Sequence, residues 1–528
     1  MIDSKYIIKR INQYYSWYKK KNIPQVAKSV DIYPEYCILI LKSEGYLTLT
    51  IWKSNKKALS LLCQTKNNLH MGKIKKFQFN NQIKSEKITF PSVNNYSVVA
   101  NTNSLQLSSF GGMPILKEAE KRLALANQIA SCLHDGRAGH LVRHTLEQII
   151  MTRIFQICLG YEDVNDCDRN RHELMMQYAV KENFSDEICS SSTMCRFEND
   201  VTEEDLLAIQ EMFVTMFVLS YNGKEPGHII LDCDDTNVDT HGAQELTIFN
   251  SYYDSYCYMP LLVFEGHSGK MILPLLKPGR RNKTANIADT LQWLITVLRE
   301  AWPNTIITVR GDSHFCSYEF MDWAFYQKKI LFVTGLSANS VLLSNPVVKQ
   351  LIEQVKHDYE LFHHPCRKFG SFHYAAGTWK IAQRVVVKVE ITEAGGNPNI
   401  RFIVSNIWNS TPQGLYETTY CGRGKDELYI REFKEAVNGD RLSCHSFNAN
   451  RLRIFMHAAA YILMHSIREH GLKGTALEKS TLLEIREKVL LTAVNIRILK
   501  KSIVFDYGKY NPMDRELRHL LHFYERSA

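Results

Sequence analysis

Two short apolar runs that end in aspartate constrain the fold of this chain most strongly. The first run is Ile229–Asp234, and the second is Ile306–Asp312. Both are short and rich in β-branched residues, a composition typical of buried strands. Between them, residues 284–301 have helical spacing that stops before Pro303. The two runs are therefore expected to be strands of one sheet, separated along the chain by a helix.

The neighbouring segments extend this prediction to the order β-β-β-α-β-α-β. Turn-like residues at 265–269 predict an antiparallel meander, and a helix and a strand follow the second aspartate run. This is the order of an RNase H-like fold, whose mixed sheet begins with three antiparallel strands. The predicted strands and helices are His228–Asp234, Tyr256–Phe264, Met271–Leu276, the helix at 284–301, Thr305–Arg310, Ser317–Gln327 and Ile330–Thr334.

The predicted fold class is α/β, with a helical N-terminal domain and a β-rich domain inserted into the RNase H-like sheet. A length of 528 residues predicts several domains. They are a basic N-terminal extension at 1–75, a mainly helical DNA-binding domain at 76–225, the first part of the core at 226–337, the inserted domain at 338–410, and the rest of the core with C-terminal helices at 411–528.

Charge is concentrated at the N-terminus. Residues 1–88 hold 17 Lys/Arg and 5 Asp/Glu, a net charge of +12, so the remainder carries 9 − 12 = −3. A basic arm suits a polyanion, because Lys and Arg displace counterions from phosphates. A solvated, poorly ordered leader explains the same composition. Within the arm, residues 23–46 are weakly expected to form two short helices around Asp31–Tyr33.

No apolar run is long enough to span a membrane, so a membrane is not expected as a partner. The 13 cysteines include no C-x-x-C pair, which favours reduced thiols in a cytoplasm.

A third acidic residue completes a candidate site. Tyr420, Arg423, Glu427 and Lys434 follow one another at steps of three, four and seven residues, which places them along one stripe of a helix and its lead-in. In such a stripe Glu427 can hold a metal ion, while Arg423 and Lys434 neutralise phosphate and Tyr420 stacks or donates a hydrogen bond. An ordinary amphipathic helix with ion pairs is the alternative for this stretch alone.

Two carboxylates at strand ends and one on a later helix can together hold two Mg²⁺ ions. Such ions lie roughly 3.5–4 Å apart and stabilise the attacking and leaving oxygens of phosphoryl transfer. The predicted metal ligands are Asp234, Asp312 and Glu427. Asp232 and Asp234 share one strand face, so spacing does not choose between them. The Asp-x-Thr ending favours Asp234.

These motifs resemble the DDE transposases of bacterial insertion sequences, specifically insertion-sequence family 1380 with its Tyr-Arg-Glu-Lys motif. The resemblance covers roughly residues 100–505 of this chain. The matching stretches are 159–173, 190–199, 231–245, 252–264, 309–315 and 420–434.

The resemblance implies that Asp234, Asp312 and Glu427 are the catalytic triad, and that Tyr420, Arg423 and Lys434 contact DNA. It implies two Mg²⁺ ions, replaceable by Mn²⁺, and a homodimer that joins double-stranded terminal inverted repeats to target DNA near the bacterial nucleoid. Two other functions stay open, a non-catalytic DNA-binding remnant of a transposase and a structure-selective RNase H-like nuclease.

Overall fold

The computed structural model describes five strands between residues 27 and 100, then residues 106–278 and 286–525. The chain divides into two compact units, Met1–Asn103 and Ser104–Ala528. In the described residues no helix is both long and apolar enough to cross a membrane.

The first unit contains β-structure where two short helices were expected. Strands β1 (Ala27–Tyr33), β2 (Tyr36–Ser43) and β3 (Tyr46–Lys53) form an antiparallel sheet. The helical prediction for residues 23–46 is therefore wrong, because the short continuous apolar run Tyr36–Leu41 is typical of a strand and has no helical spacing. A hairpin of β4 (Ile88–Val93) and β5 (Tyr96–Ala100) follows. The rest of residues 1–75 lies outside the described part.

The second unit opens with the expected helices. After the short strand β6 (Leu107–Ser108), seven helices fill the segment to residue 219. Two of them begin with a capping box, in which Thr145 and Thr202 accept hydrogen bonds from the backbone N–H three residues later. The helices are α1 (Met113–Leu123), α2 (Leu125–Ser131), α3 (Leu146–Cys158), α4 (Asp166–Arg169), α5 (Leu174–Lys181), α6 (Ser191–Asn199) and α7 (Glu203–Leu219).

A mixed sheet of eight strands lies at the centre of the second unit. Its first five strands and two connecting helices have the predicted β-β-β-α-β-α-β order, with the two aspartate runs at adjacent, parallel positions. They are β7 (His228–Asp235), β11 (Leu261–Glu265), β12 (Met271–Leu275), α8 (Ile287–Ala301), β13 (Ile306–Gly311), α9 (Tyr318–Phe325) and β14 (Ile330–Leu336).

The predicted strand Tyr256–Phe264 is split into two. Pro260 interrupts it, because proline has no N–H to donate to a strand ladder. The residues before the proline join a small side sheet in the order β8-β10-β9. Its strands are β8 (Val238–Asp239), β9 (Ile248–Asn250) and β10 (Ser255–Tyr258).

The segment predicted as an insertion extends the central sheet. Helices α10 (Ser340–Ser344) and α11 (Pro346–Phe362) come first, since Val348, Leu351 and Val355 are buried at helical spacing. The expectation of β-structure is therefore correct only from residue 366 onward. Strands β15 (Cys366–Tyr374), β16 (Gln383–Ile391) and β17 (Asn399–Ser405) then pair in turn, and β17 pairs with β14, giving the order β12-β11-β7-β13-β14-β17-β16-β15.

The chain after the sheet is again mainly helical. Short helix α12 (Pro412–Gly414), a π-helix at Leu415–Tyr420 and a 3₁₀ turn at Cys421–Lys425 lead into α13 (Asp426–Glu435). Helix α14 (Phe447–Ser466) is buried on nearly every side. The remaining elements are two π-helices (Ile467–Gly471 and Arg486–Leu490), α15 (Leu482–Ile485), β18 (Val494–Ile498), β19 (Ile503–Tyr507) and α16 (Asp514–Glu525).

The two faces of the central sheet are covered by different helices. Ile229, Leu231 and Cys233 of β7 belong to an apolar cluster with α8, α9 and α11. Leu262 and Phe264 of β11 instead belong to a cluster with α14 and the helices before residue 217. Residues 230, 232 and 234 point to the face opposite the first cluster, because side chains alternate along a strand. This alternation decides which acidic residues are available to a site.

Candidate active site

The two aspartate runs end at the same end of the sheet, where the carboxyl ends of β7 and β13 lie next to each other. β7 and β13 are parallel, with Asp232 beside Arg310 and Cys233 beside Gly311. Asp234 is the next residue of β7, where it pairs with Leu262 of β11, and Asp312 follows the last residue of β13. The two aspartates are therefore neighbours at this end of the sheet. The structure thus brings together two of the three acidic residues predicted from sequence.

The ion pair of Asp232 with Arg310 makes Asp232 unavailable to a ligand. Its carboxylate is fully buried and forms a bidentate ion pair with the guanidinium of Arg310. The Asp234 side chain is 19% exposed. The ambiguity left by spacing is resolved by burial, since only Asp234 of the two is accessible to a ligand.

The Asp232–Arg310 pair also holds the segment before α13. Nη1 of Arg310 donates a hydrogen bond of 2.9 Å to the carbonyl oxygen of Thr419. A Cβ on Gly422 would lie 2.5 Å from the same Nη1, so the backbone approaches the guanidinium more closely than any other residue type allows. Sequence reasoning did not assign this role, although Asp232 and Arg310 each stand two residues before a predicted ligand.

Asp234 lies in a strained electrostatic setting. Its pKa is raised to about 6, chiefly by burial; Arg423 acts in the opposite direction, and the neighbouring charges of Asp312 and Asp235 add to the rise. Nη1 of Arg423 lies 3.0 Å from Oδ2 of Asp234. The neighbouring Asp235 has its own cation, Lys277, whose Nζ lies 2.6 Å from both carboxylate oxygens. Two carboxylates that repel each other at one edge form a site suited to a divalent cation.

Asp312 begins a 3₁₀ turn at Ser313–Phe315. Its Oδ1 accepts a 2.8 Å hydrogen bond from the backbone N–H of His314, and Nδ1 of His314 lies 3.5 Å from the other carboxylate oxygen. The Asp312 side chain is 32% exposed. The turn therefore orients the carboxylate and leaves part of it accessible.

Glu427 lies in the first turn of α13 and is exposed. It lines the same cleft as Asp234, which has a volume of about 460 Å³. No three Asp, Glu, His or Cys side chains in the described part of the chain converge closely enough to hold one metal ion. The cleft lining comprises Asp234, Asp235, Thr236, Glu427, Ile430, Arg431, Lys434, Glu435 and Asp440.

The other motif residues surround these carboxylates. Tyr420 ends the π-helix and Arg423 lies in the 3₁₀ turn, so both precede the regular helix, as expected from the flanking glycines. A Cβ on Gly335 would lie 3.0 Å from the Tyr420 hydroxyl and 3.2 Å from the carbonyl carbon of Asp312, so the ring fills the space beside that strand end. Burial raises the pKa of Tyr420.

Lys434 connects α13 to the loop after β7. Its Nζ donates a 2.8 Å hydrogen bond to the carbonyl oxygen of Asn237, and burial lowers its pKa. Tyr420 and Arg423 thus lie near the strand ends, and Lys434 lies in the wall of the cleft. The donor set around the cleft consists of carboxylate oxygens, which suits Mg²⁺ or Mn²⁺ better than metals that prefer sulfur or imidazole.

Comparison with known proteins gives a family match and a weak structural match. A family model described as a transposase DDE domain, group 1, matches residues 90–527. A cryo-EM structure of a piggyBac transposase synaptic complex with hairpin DNA is 11% identical to this chain and covers 72% of it and 80% of the solved chain, at a TM-score of 0.38. That TM-score is too low to support a conclusion about fold or function. No curated protein matches the sequence.

The buried pair predicts a large stability difference between two aspartates. Asp232→Ala should lower the free energy of unfolding by about 3–5 kcal/mol, because it leaves the Arg310 guanidinium buried without an anion. Urea denaturation measures the loss. Asp506→Ala, which removes the partner of Arg497 at an exposed site, should change little. Equal effects of the two substitutions would show that the Asp232–Arg310 pair does not hold the strands together.

The raised pKa of Asp234 predicts that replacing this aspartate with a neutral residue stabilises the metal-free protein at neutral pH. The carboxyl changes from an ordinary value of 3.8 to about 6 on folding, so the folded state binds its proton more tightly. Stability is therefore lost as pH rises from about 4 to about 6, and the whole cost is present above that range. Asp234→Asn avoids this cost.

In EDTA, Asp234→Asn should melt at a higher temperature than the wild type near about pH 7.5 and at the same temperature near about pH 4. Differential scanning calorimetry measures both. Asp506→Asn is the control, because Arg497 lowers the pKa of that carboxyl and its removal should not stabilise the protein. A variant that melts below the wild type at neutral pH would contradict the electrostatic account of Asp234.

Proposed function

Since the chain belongs to the transposase DDE domain group 1 family, we propose that it cuts the ends of an insertion sequence and joins them to target DNA. The observation that carries this proposal is the pair Asp234 and Asp312, which lie at the ends of the adjacent parallel strands β7 and β13. Glu427 lines the same cleft as Asp234. Cationic and aromatic motif residues lie around these acidic groups, as a site for a phosphodiester requires.

Asp234, Asp312 and Glu427 are the proposed catalytic residues and metal ligands. Two Mg²⁺ ions, or Mn²⁺ in their place, would supply Lewis acid chemistry at the attacking and leaving oxygens. The chain's own part is to present ionised carboxylates at one edge of the sheet. Burial of Asp234 beside Asp312 disfavours two negative charges there, and this cost favours the uptake of a cation.

Arg423 and Lys434 are the proposed phosphate contacts, with Tyr420 beside them. Arg423 has a guanidinium at the cleft edge that compensates Asp234. A cation bound there would take over this compensation, and a guanidinium makes strong bidentate hydrogen bonds with a phosphate group. Lys434 contributes a point charge from the cleft wall.

The finer assignments are part of the same proposal. The strand order β12-β11-β7-β13-β14 supports an RNase H-like core, and the β15–β17 strands correspond to the proposed insertion. The ordered motifs along the chain support membership of insertion-sequence family 1380, and with it a bacterial element whose ends are terminal inverted repeats. A homodimer that holds two such ends is proposed on the same basis.

Asp312→Asn should lower the rate of Mg²⁺-dependent DNA cleavage by roughly 100-fold or more, because a metal-bound carboxylate is lost. The DNA substrate carries the sequences that flank this gene. Cleavage is measured on denaturing gels and DNA binding by fluorescence anisotropy. Binding should persist, since the phosphate contacts are unchanged. Glu435→Gln is the matched control, because Glu435 lines the cleft but lies outside the motif.

Cleavage at the repeat boundary by the wild type and by Glu435→Gln, but not by Asp312→Asn, supports a transposase. Cutting without regard to sequence would instead indicate a nuclease. Binding of the repeats without cleavage by any of the three proteins would indicate a non-catalytic remnant. Cleavage retained in Asp312→Asn would overturn the assignment of the triad.

A further inference from the structure

Helix α13 carries Glu427 and Lys434, and most of its cleft side is open. The helix follows a 3₁₀ turn and has no side-chain hydrogen bond at its N-cap. Glu427, Leu428 and Arg431 are exposed to solvent. A helix of ten residues is too short to be stable alone. Contacts on the side away from the cleft therefore have to hold α13 in place.

Aromatic contacts pack against the side of α13 that faces the protein interior. Phe433 is buried, and its ring centroid lies 6.3 Å from that of Tyr461 in α14. The ring of Tyr429 lies 5.6 Å from that of Phe264 in β11. Apolar burial stabilises the helix in proportion to the area removed from water, but it is not directional. The rotation and the axial position of α13 therefore depend on hydrogen bonds and ion pairs.

Arg468 makes such a contact behind the helix. Its Nη1 donates to Oε1 of Glu432 at 2.5 Å, and the same oxygen accepts a 3.2 Å hydrogen bond from the backbone N–H of Leu482. Nη1 of Arg468 also donates to the carbonyl oxygen of Ser480 at 3.3 Å. The Arg468 and Glu432 side chains are 16% and 11% exposed, so solvent screens their charges weakly. One carboxylate of α13 is thus joined to two other segments of the chain.

A second arginine holds the carboxyl end of α13. Nη1 of Arg486 donates a 2.8 Å hydrogen bond to the carbonyl oxygen of Ala436, the C-cap of the helix. A cation is favourable at this end, where carbonyl groups have no partner within the helix. A Cβ on Gly160 would lie 3.2 Å from the same Nη1, so the Arg486 side chain lies between α13 and the end of α3.

Both arginines lie in π-helices. Arg468 is the second residue of the π-helix Ile467–Gly471, and Arg486 is the first residue of Arg486–Leu490. The third π-helix in the part of the chain that the structure describes, Leu415–Tyr420, leads through the 3₁₀ turn into α13. π-helices are rare and occur frequently at functional sites. Their recurrence around α13 supports a functional role for the way this helix is held.

The contact at Glu432 bears directly on the position of Glu427. The two residues are five positions apart on one helix, a rise of roughly 7.5 Å and a rotation of roughly 140°. A turn or slide of α13 at Glu432 therefore moves Glu427 as well. Glu427 and Asp234 line the same cleft from different elements. Metal-binding side chains must be held to about 0.5 Å, so a small movement of α13 would weaken the site without removing a ligand.

We propose that Arg468 and Arg486 are positioning residues, which set Glu427 against Asp234 for metal binding. The proposal rests on the proposed function and adds two residues that lie outside the sequence motif. Neither arginine is assigned a contact with metal or DNA. Arg468 acts through Glu432, and Arg486 acts through the carbonyl group of Ala436.

The test measures Mn²⁺ binding to the full-length chain without DNA, by electron paramagnetic resonance of the free ion. Arg468→Met and Arg486→Met remove the two contacts, and Arg468→Lys keeps a cation that can reach Glu432. Arg451→Met is the matched control, because Arg451 of α14 is 10% exposed and pairs with Glu203 rather than with α13. Urea denaturation measures the stability of each variant, and fluorescence anisotropy measures its DNA binding.

Arg468→Met and Arg486→Met should each weaken Mn²⁺ binding by roughly tenfold or more, as loss of support behind a metal ligand does. The Mg²⁺ concentration for half-maximal DNA cleavage should rise in parallel, and DNA affinity should stay unchanged. Arg468→Lys and Arg451→Met should bind Mn²⁺ like the wild type.

A double variant separates positioning from stability. Arg468→Met with Glu432→Met replaces the ion pair by apolar side chains of similar length, an exchange that is often neutral for stability. This variant should unfold at the same urea concentration as the wild type and still bind Mn²⁺ weakly. Recovery of Mn²⁺ binding together with stability would show that the pair is only structural and would overturn the proposal.

Unchanged Mn²⁺ binding in Arg468→Met or Arg486→Met would overturn the role of that arginine, and equal losses in Arg468→Met and Arg451→Met would overturn the proposal as a whole. The proposed function is judged separately, by DNA cleavage in the wild type and its loss in Asp312→Asn. A wild type that binds Mn²⁺ but cuts no DNA would contradict the proposed function alone. If the wild type binds no Mn²⁺, both proposals fail.

Discussion

The buried ion pair between Asp232 and Arg310 is the interaction on which the candidate site depends. It joins the two strands that end in Asp234 and Asp312, and through Thr419 it reaches the segment that carries Tyr420 and Arg423. Each member stands two residues before a proposed ligand, so a shift of either strand would move its carboxylate. Burying two charges is costly unless they are well paired. Here Nε and Nη2 of Arg310 donate to the two carboxylate oxygens of Asp232.

The carboxylates beyond that pair are held in an unfavourable arrangement. Asp234 is partly buried beside Asp312 and Asp235, and its pKa rises despite the contact with Arg423. Natural proteins retain such strain mainly where function needs it, because each group alone would be more stable in water or with a dedicated cation. Asp235 is in the same situation, since burial raises its pKa although Lys277 forms an ion pair with it. The arrangement at Asp234 supports the proposal that this carboxylate is a metal ligand.

The side sheet adds a surface of a different chemical kind. The carboxylates and Arg423 are the proposed contacts of a phosphodiester, whereas the hairpin of β9 and β10 at residues 248–258 contains no Lys or Arg and exposes aromatic rings. Sequence reasoning read residues 256–264 as one strand and so missed the hairpin, although Pro260 marked the break. The sequence therefore indicates the two features separately. The spacing of the acidic residues indicates the site, and a single proline indicates where the strand is interrupted.

The sequence by itself determined the β-β-β-α-β-α-β succession of elements along the chain and singled out Asp234, Asp312 and Glu427 as candidate ligands, because hydrophobic periodicity and residue spacing are local properties. Only the tertiary structure decided between Asp232 and Asp234, since burial against Arg310 depends on which strand lies beside β7. It likewise placed strands at 27–43 where two short helices were expected, and joined β17 to β14. Strand pairing and ion-pair partners link residues far apart in sequence, so no local pattern specifies them.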